Sequence, residues 1–272
     1  MATSSVRPCP LCKHRNDESP TSPLSRDPWV IKACENCGFV YLVNPPDVTE
    51  LECELAWEKT SVDETARRRT ATPIAAVFGA QVARFRRQVL ARRKLKSLLQ
   101  RLASPGPVLD VGCGWGHTLE ENLPDGFTPW GIELSVNLAE QARQRFSRLG
   151  GQVFQGDAVT HLREQSPGFF HAVTLIAILE HVLDPVELLH EAGRVLSSQG
   201  VVVIKVPNFA SVNRRIRGRR WCGLRFPDHV NYFTPDSLVR SAKKAGLHIT
   251  RFGLFDRQPT SDNMWCVLSR TS

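Results

Sequence analysis

No stretch of this chain stays apolar long enough to cross a bilayer. The longest such run, Ala172 to Leu179, is broken by Thr174 and falls far short of a membrane span, which needs about 20 residues. The N-terminus lacks the basic-then-apolar pattern of a secretory leader. Export and membrane insertion are thereby set aside, and a cytoplasmic protein is expected. Internal repeats and low-complexity tracts are also missing. With 42% hydrophobic and 23% charged residues the composition is ordinary for a soluble globular protein. A length of 272 residues suits one generous domain, or a full domain with a small appendage. Acid is missing from one whole segment: between Thr65 and Leu109 stand 11 Arg or Lys and no Asp or Glu, against +8 for the chain, so the remainder nets to −3. The basicity is local.

What is present begins with cysteine. "CPLC" (Cys9, Cys12) and "CENCG" (Cys34, Cys37, Gly38) form two C-x2-C knuckles separated by 21 residues. Four thiolates at this spacing are the tetrahedral set of a closed structural zinc site. Disulfides or a redox pair are the alternatives, and a reducing compartment argues against the first. Gly38 suits the tight turn around a metal, and His14 is unnecessary if all four sulfurs bind. About 50 residues so poor in apolar groups cannot bury enough surface alone, so the metal would contribute much of their stability. Cys53, Cys113, Cys222 and Cys266 have no partner spacing and read as packing or surface residues.

A helical pattern runs from Pro73 to Leu102, entered through Thr72-Pro73 and stopped by Ser104-Pro105-Gly106-Pro107. Strand-like runs follow at 107–111, 128–132, 151–154, 170–178 and 200–206. Helical segments lie between them, such as Ser135 to Leu149 and Pro185 to Leu196. This alternation predicts an α/β fold whose parallel sheet is covered on both faces. A last helix is expected from Pro235 to Ala245, then two strands near 247–254 and 263–270 able to pair antiparallel.

The first strand runs into "VLDVGCGWG", where Gly112, Gly114 and Gly116 follow Asp110. In an open parallel sheet, ligands bind outside the carboxyl ends of the strands. The second strand ends in "WGIELS", placing Glu133 where a carboxylate can accept from a ribose diol. The third leads to "QGDA", putting Asp157 where it can receive an adenine amino group. These acids, 23 and 24 residues apart, would be costly neighbours without a partner. A ligand bearing ribose, adenine and a positive centre compensates all three, whereas a pyrophosphate would be repelled by Asp110. With these residues the chain resembles a class I S-adenosylmethionine-dependent methyltransferase over roughly residues 73 to 272. Asp110 to Gly116 match that family's first motif, Glu133 its ribose-binding acid and Asp157 its adenine-binding acid. "ILEHVLDP" (178–185), "VPN" (206–208) and "PDHVNYFTPDSL" (227–238) resemble a bacterial branch that often carries an N-terminal cysteine cluster. The resemblance implies a Rossmann-like, doubly wound, mostly parallel seven-stranded sheet with an antiparallel C-terminal strand, preceded by a small zinc ribbon. It implies S-adenosylmethionine as cofactor beside the structural zinc. The corresponding division is a ribbon-like segment at 1–50, a helical linker at 51–106 and the cofactor-binding domain at 107–272.

In this fold the end of the fourth strand faces the donor methyl, and there stand Glu180 and His181. Imidazole titrates near neutral pH, so His181 is the candidate base. Glu180 would bind the acceptor or orient a neighbour. His229 is the second candidate base, with Tyr232 as a hydroxyl partner or packing residue. The insert "NRRIRGRRWCGLRF" (213–226) offers Arg214, Arg215, Arg219 and Arg220 beside Trp221 as a grip for a phosphate-bearing acceptor; a solvated loop is the plain alternative. No acid–acid–asparagine set for magnesium is evident, and no second metal is expected. The favoured activity is methyl transfer to a small molecule, sugar nucleotide or glycan or lipid precursor, at oxygen or carbon. An RNA methyltransferase using the zinc ribbon and the basic 65–109 segment is the alternative, disfavoured by the scarcity of aromatics among the basic residues. A non-enzymatic scaffold is the third reading, disfavoured by intact acids at all three positions.

Overall fold

Apolar strands buried on both faces, each handed to a helix through a short capped turn, can only close as a layered α/β structure. A computed structural model describes residues 6–46 and 92–271. The first segment folds into strands β1 (Ile31–Ala33) and β2 (Val40–Leu42). Then come α1 (Arg92–Leu102), β3 (Pro107–Val111), α2 (His117–Asn122), β4 (Thr128–Glu133), α3 (Val136–Ser147), β5 (Gln152–Gln155), α4 (Ala158–Glu164) and β6 (Phe170–Ile176). The chain continues through α5 (Pro185–Arg194), β7 (Leu196–Pro207), α6 (Val212–Arg217), β8 (Asn231–Tyr232), α7 (Pro235–Lys244), β9 (Leu247–Arg251) and β10 (Asn263–Arg270). Of the long N-terminal helix expected from the pattern, only Arg92–Leu102 is described, with Leu95, Leu98 and Leu99 buried. Its Thr72-Pro73 start, Cys53 and Arg67 to Arg69 lie outside the described residues.

The main sheet has seven strands in the order β5-β4-β3-β6-β7-β10-β9. Strands β5 to β7 are parallel, and β10 runs antiparallel to both β7 and β9. This is the doubly wound, seven-stranded arrangement expected. Because β4 and β6 flank β3 on opposite sides, the connections diverge beyond the end of β3 and open a crevice there. Local chemistry places the helices. Ser135 accepts from Leu138 N, Asp184 from Glu187 N ahead of Pro185, and Thr234 and Ser237 form a reciprocal capping box ahead of Pro235. Among the described residues no helix is long and apolar enough to cross a membrane.

A second sheet, β1-β2-β8, is the feature the sequence pattern did not announce. Strand β8 comes from the C-terminal half of the chain, yet pairs with β2 through Val40↔Tyr232 and Tyr41↔Asn231. Ile31, Leu42, Phe209, Trp221, Leu224, Val230 and Tyr232 share one apolar cluster beneath it. The cysteine-bearing segment is thus sewn onto the chain that follows β7. Replacing Thr234 by Ala removes one half of the capping box; a loss of about 1 kcal/mol is expected, read as a Tm lower by about 2–4 °C in thermal unfolding.

Candidate active site

At the end of β3 the backbone turns sharply. Gly112 N and Cys113 N both donate to Ile132 O, at 2.8 and 3.1 Å. Gly114 has φ +56°, and a Cβ there would meet nothing within 4 Å among the described residues. Its bare face therefore fronts open space. Gly116, at φ +83°, answers a different need: a Cβ would lie 2.9 Å from the Phe146 ring and 3.2 Å from Ala142 Cα, so α2 packs on α3 only because no side chain intervenes.

Glu133 ends β4 and binds this loop directly. Its Oε2 accepts from Gly114 N at 2.7 Å and its Oε1 from Ser135 N at 2.9 Å. A carboxylate oxygen can accept more than one hydrogen bond, so the same group can also serve a ligand hydroxyl. Asp110 lies one strand over, 4% exposed, and accepts from the Thr174 hydroxyl. Burial pushes its carboxyl up to about 7, against the Thr174 bond, and nearby Glu133 raises it further. Asp157 follows β5, exposed, with Oδ1 accepting from Thr160 N and Oγ1 at 2.8 Å as the cap of α4. The neighbouring registers Asp110↔Gly131 and Glu133↔Gln155 bring these acids to the same edge of the sheet.

The end of β6 carries the second half of the site. Ala177 there takes φ +58°, which costs a non-glycine residue on the order of 1–2 kcal/mol. Its N–H is held by Lys205 O at 2.8 Å. Nothing in the sequence flagged this alanine. Just beyond it, ligating atoms of Glu180, His181 and His229 all lie within 4.8 Å of one another. The two imidazoles meet edge to face, with centroids 4.8 Å apart. His229 Nδ1 is bonded to Gly223 O at 2.9 Å, which a neutral ring satisfies by donating and leaves the lone pair on Nε2. Burial, aided by the Arg225 charge, lowers the His181 imidazole to about 4, so it is uncharged at neutral pH. Burial also raises the Glu180 carboxyl to about 8, opposed by Lys205 and Arg225. Glu180 is 1% exposed, and among the described residues its Oε2 has no hydrogen-bond partner. With Arg225 and Lys205 bearing on the same groups, the cluster suits neutral imidazoles better than a divalent cation. Asp184 caps α5, and Asp236 stands in the first turn of α7.

The basic insert is a correction to expectation. Trp221, expected beside a ligand phosphate, is 2% exposed and donates Nε1–H to Asp262 Oδ1 at 2.8 Å. Arg214 donates to Phe209 O and lies over that ring, and Arg219 donates to Ser25 O. Tyr232 is buried in the cluster under β8, away from solvent. Their apolar and hydrogen-bonding surface holds the small sheet against the large one; Arg215 and Arg220 remain at the surface of the insert, both exposed.

The cysteines converge. Sulfurs of Cys9, Cys12, Cys34 and Cys37 all lie within 4.8 Å of one another, with Cys9–Cys37 at 3.6 Å and Cys12–Cys34 at 3.5 Å. A disulfide requires about 2.05 Å, whereas tetrahedral zinc with Zn–S near 2.3 Å spaces its sulfurs about 3.8 Å apart. The donor set therefore fits a closed zinc site. The residue after each knuckle is left-handed, Gly38 at φ +69° and Lys13 at φ +62°; only the glycine was legible in the sequence. Cys113 and Cys266 are buried and Cys222 partly so.

Comparison with known proteins meets this geometry. A family model described as a methyltransferase domain matches residues 82–251. The ubiquinone biosynthesis O-methyltransferase of Dechloromonas aromatica is 32% identical over 147 residues, 52% of this chain and 63% of that protein. The protein of the same name from Nitrosomonas europaea is 29% identical over 152 residues, again 52% and 63%. The chain thus spans less than two thirds of the length of these curated relatives. Among solved structures, the CcbJ methyltransferase of Streptomyces caelestis superimposes with a TM-score of 0.54 at 18% identity, covering 66% of this chain and 90% of that one. A Thermotoga maritima S-adenosylmethionine-dependent methyltransferase gives 0.52 at 18%, covering 73% and 98%. At such identities the structural likeness speaks for the fold alone. The glycine turn, the acids on adjoining strand ends and the matched segment that contains them agree: this chain belongs to the methyltransferase-domain family, on the class I S-adenosylmethionine-dependent fold.

Proposed function

We propose that the chain transfers the methyl group of S-adenosylmethionine to a small-molecule acceptor, at oxygen or carbon. One observation carries this reading: the Glu133 carboxylate, tied to the glycine loop at Gly114 N, stands beside buried Asp110 at an open strand edge. When bound, S-adenosylmethionine supplies an electrophilic methyl on a sulfonium. Glu133 would hold the ribose hydroxyls, Asp157 would receive the adenine amino group through Oδ2, and Asp110 would answer the ligand's positive charge. Gly112, Gly114 and Gly116 keep side chains out of the approach. His181, neutral at working pH, would take the proton from an acceptor hydroxyl or carbon acid, with Glu180 Oε2 binding the acceptor and His229 backing the ring. Methyl transfer itself asks mainly for alignment, which can be worth many powers of ten. The relatives named as O-methyltransferases favour oxygen. A phosphate-bearing acceptor would meet Arg215 and Arg220.

Cys9, Cys12, Cys34 and Cys37 would hold zinc with no open position, so its contribution is to folding and not to chemistry.

The buried Asp110 acid links cofactor binding to pH. With its carboxyl near 7 in the free protein, a bound cation favours the ionised form. Affinity for S-adenosylmethionine should therefore tighten as pH rises from 6 to 8, with proton release on binding. Calorimetry should show this for the wild type and not for Asp110→Asn; a flat profile in the wild type contradicts the assignment. His181→Ala should bind S-adenosylmethionine normally and lose about 10²- to 10⁴-fold in turnover with a labelled donor; normal turnover removes His181 as the base. Elemental analysis should find about one zinc per chain, with Cys34→Ser losing both metal and stability; an intact fold without metal would refute the zinc site.

A further inference from the structure

The turn that carries Glu180 and His181 has little hydrogen bonding of its own. Inside it, His181 N donates to Ile178 O at 2.9 Å. Four of its carbonyls, those of Leu179, Glu180, Val182 and Leu183, are met from outside. Asn231 Nδ2 donates to Leu179 O at 2.8 Å and to Val182 O at 2.7 Å. Val230 N and Asn231 N both donate to Glu180 O, at 2.7 and 3.1 Å. Arg7, two residues before the first cysteine, reaches across: Nη1 donates to Leu183 O at 2.9 Å, and Nη2 to Val230 O at 2.5 Å and Asn231 Oδ1 at 3.1 Å. Its Nε holds Leu42 O at 2.7 Å, and its N–H holds Val43 O at 2.8 Å. The guanidinium fork thus ties the cysteine segment, β8 and the 179–183 turn at one point, and Asn231, 2% exposed, is the hub.

We infer that Arg7 and Asn231 are positioning residues for methyl transfer, by which the cysteine-bearing segment fixes the turn that presents Glu180 and His181. The inference rests on the methyltransferase reading above. Lysine could not replace Arg7, because an ammonium lacks the planar fork that reaches several carbonyls at once. Without Asn231, one buried and one part-buried carbonyl lose their donor and the turn must shift to find water. A misplacement of about 1 Å at such a distance from the chemistry can cost on the order of 10²-fold in rate.

Asn231→Ala, Arg7→Ala and Arg7→Lys are compared with Arg240→Ala, which removes a bond from the same segment (to Cys37 O) that does not touch the turn. All are made in the full zinc-loaded chain. The first three should lower kcat by about 10- to 100-fold while leaving S-adenosylmethionine affinity unchanged; Arg240→Ala should match the wild type. The second readout is the His181 ring, titrated by NMR. It faces Glu180 on its own turn, Arg225, Asp228 and His229 from the loop before β8, and Lys205 acts on the same cluster from β7. In the wild type its midpoint should lie near 4. Loosening the turn admits water, so in Asn231→Ala and Arg7→Ala it should move up toward the ordinary histidine value of about 6.5. Folded variants with unchanged kcat and unchanged midpoint overturn the inference. So does a loss of turnover only in step with cofactor affinity and Tm, which would mark a purely structural role. Should the wild type transfer no methyl group, the methyltransferase reading fails, and the His181 titration alone still decides the positioning.

Discussion

A carboxylate placed at the end of a buried strand must find donors, and Glu133 finds them in the backbone of two turns at once. Its bonds to Gly114 N and Ser135 N fix the glycine loop after β3 relative to the helix entry after β4. That single bridge sets the shape of the crevice. It also stands beside a glycine that, among the described residues, has open space where a side chain would be. Asp110 adds a second carboxyl that burial holds near neutrality. Removing such a group from water is unfavourable unless a cation or hydrogen-bond donor compensates it, so the rim is built for a partner that brings positive charge.

The other half of the site follows the same logic with the polarity reversed. Around the 179–183 turn it is carbonyl oxygens that need donors, and they are met by Asn231 and Arg7. The cysteine segment is therefore more than an appendage held by its own four-sulfur cluster. Its strand β2 accepts β8 as a neighbour, and β8 begins two residues after His229. Burial then keeps both imidazoles close and His181 uncharged. Local strain at Ala177 marks where the chain leaves the strand to make this turn.

Much of this was legible in the residues. The strands of the large sheet announce themselves as apolar runs because both faces are buried, and Ser135, Asp184 and Thr234 mark helix starts by side-chain chemistry that acts locally. The three acids were readable because strand ends in a parallel sheet share one edge. What escaped depends on contacts distant in sequence. β8 is two residues long and has no periodicity to detect; its pairing with β2 is purely tertiary. Lys13 adopts the same left-handed conformation as Gly38 without the glycine that would signal it. Trp221 and Arg214 looked like ligand-binding residues because composition shows charge and aromaticity but not direction; both turn inward and serve packing. Asn231 passed unnoticed between more conspicuous neighbours, its role visible only once the turn above it is placed.

The central claim is that Glu133 and its neighbouring acids surround one cationic nucleoside at this sheet edge. A crystal structure of the protein with S-adenosylhomocysteine tests it most directly. The ribose hydroxyls should bond Glu133, with the adenine beside Asp157 and the amino-acid portion against the glycine loop near Asp110. A nucleoside bound elsewhere, or one whose ribose turns away from Glu133, would contradict the account.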